Sequence, residues 1–173
     1  MTSHEQTHRD YDVRSDATRS DAHIRVLKHG DAFALLDQFG DINAGELSAE
    51  GVYLRDTRYL SLMALKLNGV NPAFLGRVSR DDGLTLVDVF TNQETPALRF
   101  GAIMLRRSIT LGLSAFHERL ELVNYSGADA TVEIRIAVDA DFADIFEVRG
   151  MQRMKRGDDR HTRVGEHRLR FEY

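Results

Sequence analysis

The sequence contains no cysteine and no tryptophan, and its 173 residues include no long apolar run. Without cysteine, the chain forms no disulfide and has no thiolate for catalysis or metal binding. No apolar stretch approaches the roughly 18 residues that a transmembrane helix needs. The polar start, MTSHEQTHRD, lacks the hydrophobic centre of a secretory signal. These absences favour a protein without a membrane partner, and we expect it to be cytoplasmic.

An excess of positive charge is also missing. The 23 lysines and arginines are balanced by 27 aspartates and glutamates, for a formal net charge of −4. Because a protein that holds a nucleic-acid backbone needs a basic face, nucleic acid is not an expected partner. The seven histidines are scattered without the spacing of a zinc site, and no glycine-rich phosphate loop is present. The sequence therefore predicts no metal, no nucleotide and no other cofactor.

What the sequence does contain is short runs of alternating apolar and polar residues. Residues 1–22 lack such runs, and their mixed polar composition predicts a disordered lead-in. Residues 23–173 suffice for one domain, in which turn residues separate runs with the period of β-strands. The clearest runs are Ala32–Leu36, Leu60–Leu67, Leu84–Phe90, Ile103–Leu113, Phe116–Tyr125 and Val132–Phe142. No run has the caps and length of a three-turn helix, so the predicted fold is all-β, an antiparallel β-sandwich.

Turn residues predict several of the connections between these strands. His29–Asp31 is expected to close a first hairpin, and Asn68-Gly69 carries the strongest short hairpin signal. The basic, polar stretch Met151–Gly165 predicts a loop, and a further strand begins within His167–Tyr173. Because domains seldom end in the middle of an element, we expect the sandwich to lack its last strands.

The alternation that begins at Val132 breaks at Asp144, where a carboxylate falls at a position that calls for a core residue. A bulge, a corner or a single helical turn at Ala143–Asp144 explains the break and re-aims the neighbouring charged side chains. Four of these are candidates for a glucan cleft or an interdomain interface: Asp141, Asp144, Glu147 and Arg149.

The acids of this segment also allow two plainer interpretations. Asp139 and Asp141 are expected on a solvated face, balanced by Arg135 and Arg149. A calcium site is allowed by residue type, since hard cations take several carboxylate oxygens. The spacing of these acids differs from that of a calcium-binding loop, however, so no metal site is predicted.

A second charged segment lies between two apolar runs and contains Arg55, Asp56, Arg58 and Tyr59. One interpretation is a loop in which a guanidinium binds a sugar or a carboxylate of a neighbouring domain, because arginine presents a planar fork of donors. The other is an aspartate–arginine pair that fixes the register of a strand. We favour the pair for Asp56 and the interface for Arg58. Elsewhere, Arg107 interrupts the apolar side of its strand, which predicts a side chain that reaches the sheet edge or, alternatively, a buried pair with one of the acids of the two charged segments.

Three blocks of the sequence resemble a known family. They are LKHGDAFALLDQFGDI from Leu27, GVYLRDTRYLSLMALKLNG from Gly51 and NYSGADATVEIRIAVDADFADIFEVRG from Asn124. Together they resemble the N-terminal domain of bacterial amylo-alpha-1,6-glucosidases, which are also called glycogen debranching enzymes. The resemblance implies a large two-sheet sandwich, or supersandwich, that stands beside a helical-toroid catalytic domain.

The resemblance also implies what this chain does and lacks. Its partners would be the catalytic domain and an α-glucan such as glycogen or branched dextrin. The catalytic carboxylates of the family belong to the helical domain, so no catalytic residue is assigned here and the chain alone is expected to be inactive. With neither that domain nor the last strands of the sandwich, the chain resembles a truncated product.

Two other functions stay open at this point. A free-standing carbohydrate-binding module would need aromatic rings to stack on sugars, and the chain offers only five tyrosines, of which Tyr53 and Tyr59 are the candidates. An assembly protein would instead self-associate through apolar area left exposed by missing strands.

Overall fold

The structure is a computed structural model, and it describes residues 24–45, 48–78, 80, 82–151, 160–163 and 165–173. The predicted lead-in and most of the loop predicted at 151–165 lie outside these residues. The strands are β1 (Arg25–His29), β2 (Ala32–Leu36), β3 (Ile42–Asn43), β4 (Gly51–Leu54), β5 (Thr57–Leu60), β6 (Leu62–Leu67), β7 (Ala73–Val78), β8 (Thr85–Thr91), β9 (Ile103–Leu111), β10 (Phe116–Asn124), β11 (Ile134–Asp139), β12 (Arg160–Arg163) and β13 (Leu169–Glu172). The helix in the described residues is α1 (Ile145–Val148), a single turn.

These strands form three antiparallel sheets and a separate hairpin. The sheet orders are β1-β2-β4-β5, β10-β9-β8-β7 and β11-β6-β3, and β12 pairs with β13. The predicted all-β, sandwich-like class is confirmed. No helix in the part of the chain that the structure describes is long and apolar enough to cross a membrane.

The core lies between the sheet of β7–β10 and the other two sheets. In the larger cluster, Leu36 of β2 and Met63 of β6 pack with Ile109 of β9, so all three sheets meet there. A second cluster joins Leu65 of β6 to Leu105 of β9. Complete burial of such a side chain stabilises the fold by about 1.5–3 kcal/mol.

Both predicted turns are present, but only the first joins two strands of one sheet. The hairpin at His29–Asp31 is confirmed, with β1 and β2 in antiparallel register around it. Asn68-Gly69 forms its turn, closed by the bridge between Leu67 and Val70. It does not join two strands of one sheet, because β7 lies in a different sheet from β6.

Sequence patterning missed β7, since none of its residues is buried and no apolar side marks it. It also missed β12, a polar strand within the predicted loop.

Arg107 is buried in an ion pair, so the prediction that it reaches the sheet edge is wrong. The alternative of a buried pair is confirmed, but its partners are Asp41 and Glu118 and not the acids of the two charged segments. Its Nη1 lies 2.5 Å from Asp41 Oδ1, and its Nε lies 2.6 Å from Glu118 Oε1. The Arg107 and Asp41 side chains are 2% and 3% exposed. Burial lowers the pKa of Arg107, but the attraction of Asp41 and Glu118 outweighs it and leaves the pKa above its ordinary value.

The even positions of β11, expected to face the core, are only partly covered. Ile134 and Ile136 are each 41% exposed, although they pair with the buried Leu67 and Leu65 of β6. The reason is that β11 is the edge strand of its sheet, so these isoleucines have described neighbours on one side alone. An apolar alternation predicts the direction of side chains, whereas their burial depends on what lies beside the strand.

Candidate functional site

The two charged segments singled out in the sequence meet at one corner of the fold, which we call the corner and define as residues 55–59 and 141–149. The Arg58 N–H donates to Ala143 O at 2.8 Å, and the Ile145 N–H donates to Asp56 O at 2.9 Å. Thr57 and Asp144 form a β-bridge between these bonds. All eight candidate residues therefore lie in one structural unit, although the two segments are far apart in the chain.

The backbone of the corner is strained. Arg55, Asp56 and Phe142 have φ angles of 48°, 65° and 48°. The left-handed backbone conformation costs a residue that has a Cβ roughly 1–2 kcal/mol, and bulky residues such as phenylalanine rarely adopt it. Such strain persists where surrounding contacts impose it, and it concentrates at functional sites.

An ion pair between Arg58 and Asp141 joins the two segments of the corner. Arg58 Nη2 lies 2.5 Å from Asp141 Oδ2, and Arg58 Nε lies 3.1 Å from both carboxylate oxygens. Arg58 Nη1 donates to the carbonyl oxygens of Ser48 and Glu50 at 3.1 and 3.2 Å. Arg58 is therefore a buried support that connects three stretches of chain.

This geometry corrects the expectation that Asp141 lies on a solvated face balanced by Arg135 and Arg149. The Asp141 side chain is 27% exposed and is held by Arg58. Arg135 instead pairs with Glu133 at 2.7 Å. The aspartate–arginine pair that fixes the strand register thus exists, but its acid is Asp141, and Asp56 contributes its backbone carbonyl.

The surroundings of Arg58 are tightly filled. A Cβ at Gly51, which has φ 154°, would lie 2.4 Å from Arg58 Cδ, so glycine is required for the guanidinium to reach Asp141. Burial lowers the pKa of Arg58, but its hydrogen bonds and attraction to Asp141 reverse that effect and leave the pKa raised.

Tyr53 is 1% exposed, stacks on Phe33 at a centroid distance of 4.5 Å, and has a pKa raised by burial. The suggested sugar platform of Tyr53 and Tyr59 is therefore wrong.

Asp144 and Glu147 cap the single helical turn, one of the three forms predicted for this break. Asp144 Oδ1 accepts the Phe146 N–H at 2.8 Å, and Glu147 Oε2 accepts the Asp144 N–H at 2.9 Å. This reciprocal arrangement is a capping box, whose N-cap contributes about 1 kcal/mol. The D-x-x-E spacing at residues 144–147 carries that signal, which the search for longer helices missed.

Several side chains of the corner remain exposed. Tyr59 and Phe146 are 49% and 57% exposed, and the side chains of Arg55, Asp56 and Arg149 also face outward. We call these five residues the corner surface. The Tyr59 ring contacts Phe142 edge-on at 5.8 Å, and Phe142 in turn contacts Tyr173 at 5.6 Å. Sequence reasoning missed Tyr173 as a support of this surface, because its contact with Phe142 depends on the bend.

The acids of the corner do not form a metal site. Within the described residues, no group of three or more histidine, cysteine, aspartate or glutamate side chains is placed to hold an ion. Asp141 is occupied by Arg58, and Asp144 and Glu147 are occupied in the capping box. The arrangement favours a rigid binding or docking surface.

Comparison with protein families gives a match. The model of a family described as the N-terminal domain of (some) glycogen debranching enzymes matches residues 27–173. The matched range contains every residue of the corner. Comparisons with curated proteins and with solved structures gave no match.

Proposed function

Because the chain belongs to the family of N-terminal domains of glycogen debranching enzymes, we propose that it is the non-catalytic β-sandwich of an amylo-alpha-1,6-glucosidase. It shapes and shields a cleft for an α-glucan, such as glycogen or branched dextrin, together with a helical-toroid catalytic domain. The family match across residues 27–173 carries this proposal. A cytoplasmic location is part of it, and cell fractionation with immunoblotting tests that part.

The corner surface supports the proposed role. Aromatic and arginine side chains are enriched in the energetically important centres of protein interfaces, and the corner exposes four such groups, Tyr59, Phe146, Arg55 and Arg149. The Arg58–Asp141 pair and the capping box hold the backbone of these residues in place, so docking would cost little backbone conformational entropy. We propose that this surface faces the catalytic domain and the edge of the glucan cleft.

The same geometry argues against catalysis by the chain itself. Glycoside hydrolysis needs two carboxyl groups on either side of the scissile bond, one acid and one base or nucleophile. The corner acids with fixed positions are Asp141, Asp144 and Glu147, and their oxygens accept hydrogen bonds that maintain the fold. A free pair aimed at a common substrate position does not exist among them.

We therefore expect the purified 173-residue chain to release no reducing sugar from branched dextrin. The measurement is a reducing-end assay at protein concentrations far above those used for a full-length debranching enzyme, which serves as the positive control. Turnover that disappears in an Asp144→Asn variant would contradict the proposal, because it would assign a catalytic acid to the corner.

The docking role is tested in a full-length protein that carries this domain. Tyr59→Ala and Arg149→Ala should each lower kcat/KM on branched dextrin by about tenfold, the effect of losing roughly 1.4 kcal/mol of transition-state stabilisation. Neither should change the unfolding free energy of the isolated domain by more than about 1 kcal/mol, since both side chains are exposed and Tyr59 makes only an edge-on ring contact with Phe142. Tyr125→Ala is the matched control, because Tyr125 is also exposed, at 64%, but lies outside the corner. Full activity in both corner variants would reject the role of this surface.

The aromatic contacts of Tyr59, Phe142 and Tyr173 favour a second candidate, a free-standing carbohydrate-binding module. Sugar rings stack on exposed aromatic faces, and Tyr59 and Tyr173 are about half exposed. Calorimetric titration of the isolated chain with branched dextrin separates the candidates. Binding that is lost in Tyr59→Ala favours the module, whereas no binding favours a domain that works only beside its catalytic partner.

A further inference from the structure

Strand β10 lies at the edge of its sheet and is nine residues long. It pairs with β9 over nine residues, Phe116–Asn124, without a bulge or a proline. On its other side, no strand in the described part of the chain pairs with it. Native edges of this length are usually shortened, bulged or covered, because their free backbone groups can recruit another strand.

The direction of the free backbone groups follows from the neighbouring hydrogen bonds. The Leu111 N–H of β9 donates to Leu84 O on the β8 side, and the Tyr125 N–H donates to Ala102 O on the β9 side. Since N–H groups alternate in direction along an antiparallel strand, the odd positions of β10 bond to β9. The even positions, Glu118, Leu120 and Leu122, therefore direct their N–H and C=O groups to the open edge.

We propose that β10 pairs with β10 of a second copy of this chain, antiparallel and centred on Leu120. A twofold axis at this position opposes Leu120 with Leu120 of the second copy and Glu118 with Leu122. All three are positions whose backbone groups point outward, so the ladder continues without interruption. The two four-stranded sheets become one, and twofold pairing of this kind is the commonest symmetry of homodimers.

Charge complementarity selects this register. With Leu120 at the centre, Arg119 lies opposite Glu121 of the second copy, and symmetry repeats the pair. Both side chains lie on the outer face, where Arg119 Nη2 is already 3.0 Å from its own Glu121. Shifting the centre to Glu118 would set Arg119 against His117, and shifting it to Leu122 would set Glu121 against Val123. Opposed charges in cross-strand pairs stabilise a sheet, whereas like charges destabilise it.

Strand β11 is another edge strand, and in the register that centres Leu120 on Ile134 it fits β10 less well. If Leu120 paired antiparallel with Ile134 of β11 in a second copy, Arg119 would face Arg135 and Glu121 would face Glu133. Pairing of β10 with itself avoids this repulsion. In this register Leu122, which is 37% exposed in a single copy, lies diagonally across from Leu120 of the second copy.

The proposal is tested by sedimentation of the 173-residue chain and two charge variants. We expect the wild-type chain to reach twice its 19.6 kDa mass with rising concentration, up to roughly 100 µM, where even a weak interface associates. Arg119→Glu and Glu121→Arg each set like charges opposite one another at two symmetric positions, and each should raise the dimer Kd by about tenfold or more. An equimolar mixture of the two variants pairs an acidic strand with a basic one and should recover the wild-type Kd.

Two further measurements identify the surface. Glu133→Arg reverses an exposed charge directly before β11 and should leave the Kd unchanged. Hydrogen exchange should slow at Glu118, Leu120 and Leu122 as concentration rises, while Arg119 and Glu121, already bonded to β9, should not change. A constant mass of 19.6 kDa, dimers unaffected by the charge variants, or a mixture that does not associate would each overturn the proposal.

Discussion

Replacing Arg107 by methionine should lower the free energy of unfolding by about 3–5 kcal/mol, the effect of removing one partner from a buried ion pair. Methionine occupies a similar volume, but it leaves the carboxylates of Asp41 and Glu118 without their cation. Those side chains are 3% and 12% exposed, so water cannot replace the lost contacts easily. Urea unfolding followed by circular dichroism measures the change.

A matched control tests whether the loss of stability depends on the burial of the ion pair. Arg135→Met removes an arginine that pairs with Glu133 at 2.7 Å, but that arginine is 54% exposed. It should change the unfolding free energy by no more than about 1 kcal/mol. The double variant Arg107→Met/Glu118→Leu should be less destabilised than the sum of the two single variants, because it also removes one unpaired acid. A loss below 1 kcal/mol for Arg107→Met would show that the network is solvated.

The pH dependence of this contribution follows from the raised pKa of Arg107. A cation whose pKa is higher in the folded state than in the unfolded chain favours folding throughout the pH range below its unfolded pKa. The favourable contribution is lost only as the pH rises through the folded pKa. Since both values lie in the strongly alkaline range, Arg107 remains charged at every pH at which such a domain is ordinarily studied.

The sequence predicts those features of the fold that depend on nearby residues. Alternation marks β2, β9 and β10, whose side chains obey a period of two. The misplaced phase of Asp144 predicts a bend, and one of its three suggested forms, a helical turn, is present. Strand β7 escaped prediction because an exposed edge strand has no buried side to reveal it.

Contacts between distant residues could not be assigned from one sequence. Arg107 and Asp41 are separated by 66 positions, and Arg58 and Asp141 by 83. An arginine at a buried position indicates that an acidic partner is present, since an unpaired buried charge is strongly disfavoured. Sequence spacing does not identify that acid. The prediction of both corner segments as charged sites was therefore possible, whereas their union at one corner required the structure.

Arg58 also has a partner that is distant in the sequence, and its replacement should have the second large effect on stability. Arg58→Leu should lower the unfolding free energy by about 3 kcal/mol or more, because Asp141 loses its partner and the Ser48 and Glu50 carbonyls lose a donor. Arg58→Lys should not restore the full stability, since a single ammonium cannot match the forked contacts of a guanidinium. Thermal and urea unfolding of both variants measure these changes.

Arg170→Ala is the control, because Arg170 pairs with Glu172 at 2.6 Å but is 65% exposed, and surface pairs contribute about 0–1 kcal/mol. Hydrogen exchange locates the loss. In Arg58→Leu, the amide of Ile145, which bonds to Asp56, should exchange faster, while the buried amide of Ile109 in the sheet centre should open only with global unfolding. If Arg58 instead served glucan binding directly, its replacement would weaken binding and leave both stability and Ile145 exchange unchanged. That result would add Arg58 to the corner surface and remove the Asp141 pair as the support on which the surface depends.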